Sequence, residues 1–354
     1  MRELDGSEAG GQFLRTALAL AALDGDPLKI EGIRGARSNP GLRPQHLTAV
    51  RLLAEICDAE VEGASEGSTA VAFRPDEVQG GRYSVDVGTA GSLTLLFDAV
   101  LPLATRLDEP LAVTATGGTD VKWSPTMAYL RRVKLPLLRE YGLQAAVEAD
   151  RRGFYPAGGG EATLWLAPSS TDPIHLTERG AVTAARVDSV ATTDLADASV
   201  AERQADAVIE GLEAGRPEAD GDARDDDHQE LPVVERTVRS VEATSAGSAV
   251  LLRVDTETGV AGFDALGEKG KPAEDVGQET VDAAHEFLAH DAPVDRHMGD
   301  QLAVFLALAG GRVRIPAVTD HVRTSVDLLR TFGYDVSVEG TDRPTLVGDD
   351  PTSR

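Results

Sequence analysis

An apolar helix, a short strand, an amphipathic helix and a hairpin follow one another three times along the chain, and an internal repeat of this kind constrains a fold more than any single motif. The first copy reads GGQFLRTALALAAL, PLKIEGI, RPQHLTAVRLLAEIC and AEVEGASEGSTAVAFRP. The second reads GTAGSLTLLFDAVLPLA, LAVTATG, TMAYLRRVKLPLLREYG and AAVEADRRGFYPAGGGEATLWLAP. The third reads DQLAVFLALAGG, VRIPAV, DHVRTSVDLLRTFG and DVSVEGTDRPTLVG. In RPQHLTAVRLLAEIC, Leu47, Val50, Leu53 and Ala54 recur at helical spacing and form one apolar stripe, with Arg43 and Arg51 off it. Gly142 and Gly333 follow the second helices of copies two and three, where a left-handed residue ends a helix. Three α/β units, each with helices on one side and a sheet on the other, are the expected body.

A segment of different character, residues 177–277, separates copies two and three. It carries the strand-like AVTAARVDSVA, the helix SVAERQADAVIEGLEA, the tract EADGDARDDDHQE, and the strands VVERTVRSVEA and AVLLRVDTE. The acidic tract is too charged to fold and reads as a solvated loop. The expected organisation is therefore 1–176 for repeats one and two, 177–277 for an inserted small α/β domain with its acidic loop, and 278–354 for repeat three.

At 354 residues the chain exceeds what one core usually organises. Its only cysteine, Cys57, lies in the apolar run LLAEIC, which excludes an intramolecular disulfide and a thiolate metal cluster and suggests a buried structural thiol. No run approaches the roughly 20 apolar residues that cross a bilayer, and the charged start Met1 to Glu8 lacks a secretory apolar stretch. A cytoplasmic protein without a membrane partner is expected. The formal net charge is -25, and of 34 basic residues only Lys29, Lys122, Lys134, Lys269 and Lys271 are lysines. An acidic, lysine-poor surface suits a high-salt cytoplasm, because salt screens its self-repulsion. The same charge repels a polyanion at long range, so local arginines must carry any contact with a nucleic acid.

Four stretches offer chemistry. LDGSEAGGQ follows a very short strand and opens a helix, where backbone N–H groups and the helix dipole can hold phosphate; it matches neither nucleotide-loop spacing, and by itself it reads first as a tight strand-to-helix turn. Glu8 within it is a candidate ligand for a metal riding on phosphates, or simply an exposed acid. IRGARSNPGLRPQH gathers Arg34, Arg37, Arg43, Gln45 and His46 into one loop and helix start, either a phosphate fork or a salt-bridged surface loop. YPAGGGE reads first as a hairpin turn. Of seven histidines, none has paired metal spacing, and His321 stands at a strand-to-helix junction that can expose a nucleophile.

LDGSEAGGQFLRTALAL, RSNPGLRPQHLTAVRLLAEIC, VEGASEGSTAVAFRP, GTAGSLTLLFDAVLP, RRGFYPAGGGE, ALGEKGKPAEDVG and VDRHMGDQLAVFLALAGG, taken in order, resemble the RNA 3'-terminal phosphate cyclases over nearly the whole chain apart from the acidic part of the insert. The resemblance implies an α/β (α+β) fold of three repeated units, each like the C-terminal domain of a translation initiation factor, with an inserted small thioredoxin-like domain. It also implies an ATP-dependent enzyme that converts an RNA 3'-phosphate to a 2',3'-cyclic phosphodiester. A histidine, His321 by family position, attacks the α-phosphate of ATP and carries AMP on Nε2. AMP passes to the RNA 3'-phosphate, and the neighbouring 2'-OH expels it.

Such chemistry suits these residue types. An ordinary imidazole, with a pKa of about 6.5, has a neutral form at pH 7 that can attack phosphorus. Phosphate charge calls for arginines, here Arg15, Arg34, Arg37 and Arg43, and for a divalent metal, Mg or Mn, near Glu8. By correspondence Asp98 and the stretch Arg296, His297, Met298, Gly299, Asp300 and Gln301 border the nucleotide. The chain departs from the family at four places: His297 stands where an aromatic is usual, Asp98 where a glutamine is, Ser325 where an asparagine is, and the first glycine loop is about two residues shorter. RNA with a 3'-terminal phosphate and ATP are the implied partners; DNA is not expected, and monomer and homodimer are both left open. A non-catalytic ribosome-biogenesis relative would lack the histidine at 321. An enolpyruvate-type transferase would need a ring of lysines and arginines that this lysine-poor chain does not clearly offer.

Overall fold

The computed structural model describes residues 1–215 and 231–349, and the acidic tract at 218–230 lies outside the described residues. The first unit runs β1 (Arg2–Asp5), α1 (Gly11–Asp24), β2 (Leu28–Glu31), α2 (Pro44–Ile56), β3 (Glu60–Glu62) and β4 (Val71–Arg74). The second runs β5 (Gly81–Asp86), α3 (Leu93–Val100), β6 (Leu111–Gly117), α4 (Met127–Tyr129), α5 (Leu135–Glu140), β7 (Ala145–Arg151) and β8 (Gly160–Leu166). Then come β9 (Ile174–Leu176), β10 (Val182–Thr192), α6 (Val200–Ala214), β11 (Val233–Val241), β12 (Ser248–Thr256), β13 (Val260–Leu266) and α7 (Ala273–Leu288). The chain ends with α8 (Met298–Ala309), β14 (Gly311–Arg314), α9 (Asp320–Thr331), β15 (Val336–Glu339) and β16 (Thr345–Gly348). Among the described residues no helix is long and apolar enough to cross a membrane.

Four mixed four-stranded sheets result, and three share one plan. Their orders are β1-β2-β4-β3, β5-β6-β8-β7 and β9-β14-β16-β15. In each, the first two strands are parallel and the remaining pairings antiparallel. Every unit therefore opens with a strand that the four-part repeat read from the sequence does not contain. In the third unit that strand is β9, which the sequence division had left with repeats one and two. The YPAGGGE stretch forms the connection between β7 and β8.

The inserted unit departs from the chain after β9 and returns before α8. Its sheet has the order β11-β10-β12-β13, with α6 and α7 packed together upon it. The expected boundary at 277 falls inside α7. Val276, Val281, Ala284 and Phe287 of that helix join Val187, Val250 and Leu252 in a separate core, so α7 belongs with the insert. Arg179 fastens the two ends of the insert, donating from Nη1 to the carbonyls of Phe287 (2.9 Å) and His290 (2.6 Å). The helices of the other three units share one large core, with Leu18, Leu52, Phe97, Leu130, Leu306 and Leu329 all fully or nearly fully buried.

The second helix of unit two is interrupted. Leu130–Lys134 form a π turn between α4 and α5, and the N–H of Leu135 reaches back to the carbonyl of Leu130. Pro136 has no N–H for the turn before it, which favours a local change of pitch. The turn brings Lys134 inward and leaves Arg132 toward the insert, where it pairs with Asp188 and Glu235 at 2.8 Å each.

Gly142 and Gly333 close the second helices of units two and three with φ of +90° and +85°. Around Gly333 a Cβ meets open space, whereas at Gly142 it would collide with the Ser170 carbonyl. Gly333→Ala should therefore cost only backbone strain, about 1 kcal/mol. Gly142→Ala should cost clearly more, as read by the difference between the two urea midpoints at fixed salt.

Candidate functional site

A cleft of about 940 Å³ opens where the N-terminal end of α1, the arginine loop before α2, α3, the π turn, β13 and the starts of α8 and α9 meet. Gly11 lies beside His46 and Arg15, and any side chain at position 11 would collide with the His46 ring. Arg15, one turn along α1, is only 8 % exposed. Burial pushes its pKa down to about 10, and the nearby Asp98 partly offsets this. Arg34 donates to the carbonyls of Asn39 (2.8 Å) and Gly41 (3.1 Å), which fixes the arginine loop. Arg37 reaches the same cleft from that loop. Although carboxylates outnumber basic groups 59 to 34, none of Arg15, Arg34 and Arg37 makes a salt bridge among the described residues. Guanidinium groups left without carboxylates are ready to receive phosphate oxygens.

His46 sits among these cations as a neutral group. Its Nδ1 accepts from the Arg43 backbone N–H at 3.2 Å, which assigns the remaining ring proton to Nε2, on the Gly11 side. Burial first, then Arg15, Arg34 and Arg43, push its pKa down to about 3. Gln45 accepts from the Ser92 N–H at 3.3 Å and so ties the loop to the start of α3.

The opposite wall comes from α8 and α9. Thr319 caps α9, accepting from the Val322 N–H, and puts His321 in the first turn. His321 and the buried Ser325 are four residues apart and share the face that lines the cleft. Gln12 links three helices beneath them, donating to Asp300 (2.8 Å) and to Ser325 (3.4 Å). Burial raises the Asp300 pKa, while Gln12, His321, Lys134 and His297 lower it. Asp98 accepts from Lys134 Nζ at 2.9 Å with both side chains largely buried. Gln301 Oε1 is buried beside the cleft with no hydrogen-bond partner among the described residues. An orphaned buried acceptor is costly and suits a ligand that brings a donor.

The floor of the cleft is held by Asp295. Both of its oxygens accept from the Tyr129 hydroxyl at 2.9 Å, and they also receive the N–H groups of Gly262, His297 and Met298 at 2.9–3.1 Å. Asp264 accepts from the Thr126 N–H at 2.7 Å, and burial raises its pKa.

A histidine at a helix start, lining the same cleft as arginines without carboxylate partners among the described residues, fits transfer of a nucleotidyl group. The model of the RNA 3'-terminal phosphate cyclase family matches residues 6–338. The chain belongs to this family. It is 48% identical to the RNA 3'-terminal phosphate cyclase of Halobacterium salinarum over 358 aligned residues, covering 98% of this chain and 99% of that one. It is 40% identical to the Pyrococcus furiosus protein of the same name, covering 93% and 92%. The Methanopyrus kandleri protein of that name is also 40% identical, covering 95% and 94%. A solved EPSP synthase from Acinetobacter baumannii overlaps at a TM-score of 0.25 with 14% identity, covering 59% of this chain and 54% of its own. That overlap is too loose to bear on the enolpyruvate alternative.

Within this cyclase-family chain the cleft gathers Arg15, Arg34, Arg37, Gln45, His46, Asp98, His297, Asp300, Gln301 and His321. The remaining expected residues stand apart. Arg43 caps α2 beside His46 without lining the cleft. Met298 is fully buried in the main core, and Gly299 packs against Ile315. Arg296 is exposed outside the lining, and so is Glu8. Among the described residues no group of three or more His, Cys, Asp or Glu side chains is arranged to hold a metal ion. Sequence reasoning missed Gln12, Lys134, Asp264 and Asp295. An acid just before an apolar helix, as in VDRHMGDQL, was the available signal for Asp295.

The folded-state pKa of His46, about 3, lies below its ordinary 6.5, so at intermediate pH the unfolded chain binds a proton that the folded chain refuses. That contribution to stability is present above pH 6.5 and is lost as pH falls toward 3. Between pH 6 and 4 the wild type should therefore lose about 1.4 kcal/mol per pH unit more than His46→Gln. Denaturant unfolding of both proteins across that range checks the difference in slope.

Proposed function

We propose that the chain uses ATP to convert an RNA 3'-terminal phosphate to a 2',3'-cyclic phosphodiester, with His321 as the group that carries AMP. The observation that carries this reading is the position of His321, in the first turn of α9 and facing the cleft that holds Arg15, Arg34 and Arg37. The presence of a histidine there counts against the non-catalytic ribosome-biogenesis alternative.

His321 attacks the α-phosphorus of ATP through Nε2; the N–P bond forms as the bond to pyrophosphate breaks. An oxygen of the RNA 3'-phosphate then attacks the same phosphorus and frees the imidazole. The neighbouring 2'-OH closes on the 3'-phosphorus, losing its proton as AMP departs. Direct attack on an unactivated phosphate monoester would expel a much poorer leaving group. Arg15 and Arg34, held in place by packing and by backbone carbonyls, offset the phosphoryl charge without rearranging. Gln12 and Asp300 fix the face of α9 from which the imidazole acts, and Gln301 supplies an acceptor for a ribose or base donor. The residues present do not form a metal site of their own around Glu8. A divalent cation would enter on the ATP phosphates, and its charge would add to that of the arginines.

The finer fold belongs to the same reading. The repeated strand order supports units of the translation-factor kind, and the β10-α6-β11-β12-β13-α7 sequence supports a thioredoxin-like insert, which we end after Leu288. A cytoplasmic site of action also follows from it.

Incubation with ATP labelled in the α-phosphate, at high salt with divalent metal, should label the wild-type protein, and His321→Ala should take up none. Label that persists in the variant moves the nucleophile elsewhere. An RNA 3'-phosphate end should become resistant to phosphatase with the wild type alone.

A further inference from the structure

Trp123 is 95 % exposed at the rim of the cleft, and its backbone sits at φ +62°. A bulky residue in the left-handed region costs about 1–3 kcal/mol, and an indole left in water forgoes its burial energy as well. The loop around it is nonetheless tightly held. Asp120 is buried and receives Arg152 Nη1 on both oxygens (3.0 and 2.8 Å) and the Met127 N–H (3.2 Å). Ser124 Oγ donates to the Val121 carbonyl at 2.8 Å, and the Thr126 N–H is fixed by Asp264. Lys122, the residue before, pairs with Glu268 at 2.7 Å. A well-held loop thus presents a bare aromatic face at the rim of the cleft that His321 also lines.

We propose that Trp123 is the platform on which the 3'-terminal base of the RNA stacks, an inference that rests on the cyclase reading above. Tyr129 is buried and Asp264 half-buried in the lining, and they offer polar groups to read a nucleotide away from solvent. Trp123, by contrast, is exposed at the rim, where the end of a chain whose 3'-phosphate enters the cleft can lie against it. Glu268 and Glu279 also line the cleft and are paired with Lys122 and Lys271, so those lysines are already taken and the uncharged face of a base is the fitting occupant. Stacking also answers the charge problem. A chain of net charge -25 gains little from long-range attraction to RNA, and salt weakens phosphate contacts, whereas base–aromatic stacking does not depend on charge.

The protein has two tryptophans, and Trp165 lies on the second sheet away from the cleft, so Trp165→Phe leaves Trp123 as the only indole reporter. Titrating that variant, without ATP, with a short RNA ending in a 3'-phosphate should quench its fluorescence. Trp123→Ala should raise KM for the RNA about 5- to 100-fold, and Trp123→Phe should restore most of the loss. Quenching by ATP but not by RNA would assign the ring to adenine and overturn the proposal. So would an unchanged KM for RNA in Trp123→Ala. If the wild type makes no cyclic end, the cyclase reading fails, while the RNA titration still reports directly on stacking.

Discussion

The buried carboxylate of Asp295 joins three parts of the chain that are distant in sequence. It receives the Tyr129 hydroxyl from the second unit, the Gly262 N–H from β13 of the insert, and the His297 and Met298 N–H groups at the start of α8. A buried carboxylate without partners is strongly unfavourable, and one with a full set of donors fixes the geometry of everything that donates to it. Burial pushes its pKa up, and the Gly262 and Met298 N–H groups pull it back. Tyr129 and Val133 also pack directly over Gly262, where a side chain would not fit. The first turn of α8, with His297, Asp300 and Gln301, takes its position from this junction. The wall opposite the arginines therefore depends on one acid that touches no expected substrate.

Charge is distributed to serve the cleft. At the seam between the second unit and the insert, Arg132, Arg186 and Arg239 are paired with Asp188, Glu235 and Asp255. Arg132 crosses from the π turn to the insert, while Arg186 and Arg239 brace the same carboxylates from within the insert, so all three guanidiniums are committed to structure. Arg15 is instead supported by packing, Arg34 by carbonyl oxygens, and Arg37 stands exposed on the loop, so their charge remains open to an anionic ligand. In a strongly acidic chain, leaving three arginines without a carboxylate ion pair among the described residues, with the nearby Asp98 taken by Lys134, is a more specific arrangement than adding further cations.

Much of the body was legible from periodicity. The helices of each repeat, with stripes such as Leu47, Val50 and Leu53, and the terminating Gly142 and Gly333 appear where helical spacing and helix-end chemistry put them. Of the opening strands only the short one before the first glycine loop was read from the sequence, and it was not recognised as part of the repeat; β9, with three residues, is too short to show alternation. The end of the insert was misplaced because α7 begins in a charged stretch, and only its contacts with α6 reveal which core it serves. Within the cleft, His321 and the arginines announce themselves by residue type and by family resemblance. Lys134 was hidden in an apolar helix whose π turn rotates it inward, and Trp123 in a loop that offers no periodic signal. Met298 and Gly299 sit in a stretch that borders the cleft, yet helix geometry turns them to the opposite side.

The clasp made by Arg179 bears on how the third unit can assemble. Strand β9 pairs Ile174 with Gly311, so the chain must close a very long excursion before that sheet is complete. Closing a flexible loop grows dearer with the logarithm of its length. Once the insert has folded and Arg179 has drawn its two ends together, the excursion shrinks to the short connectors on either side. The insert then acts as a folded tether, and completion of the third sheet becomes a local event that follows the folding of the insert.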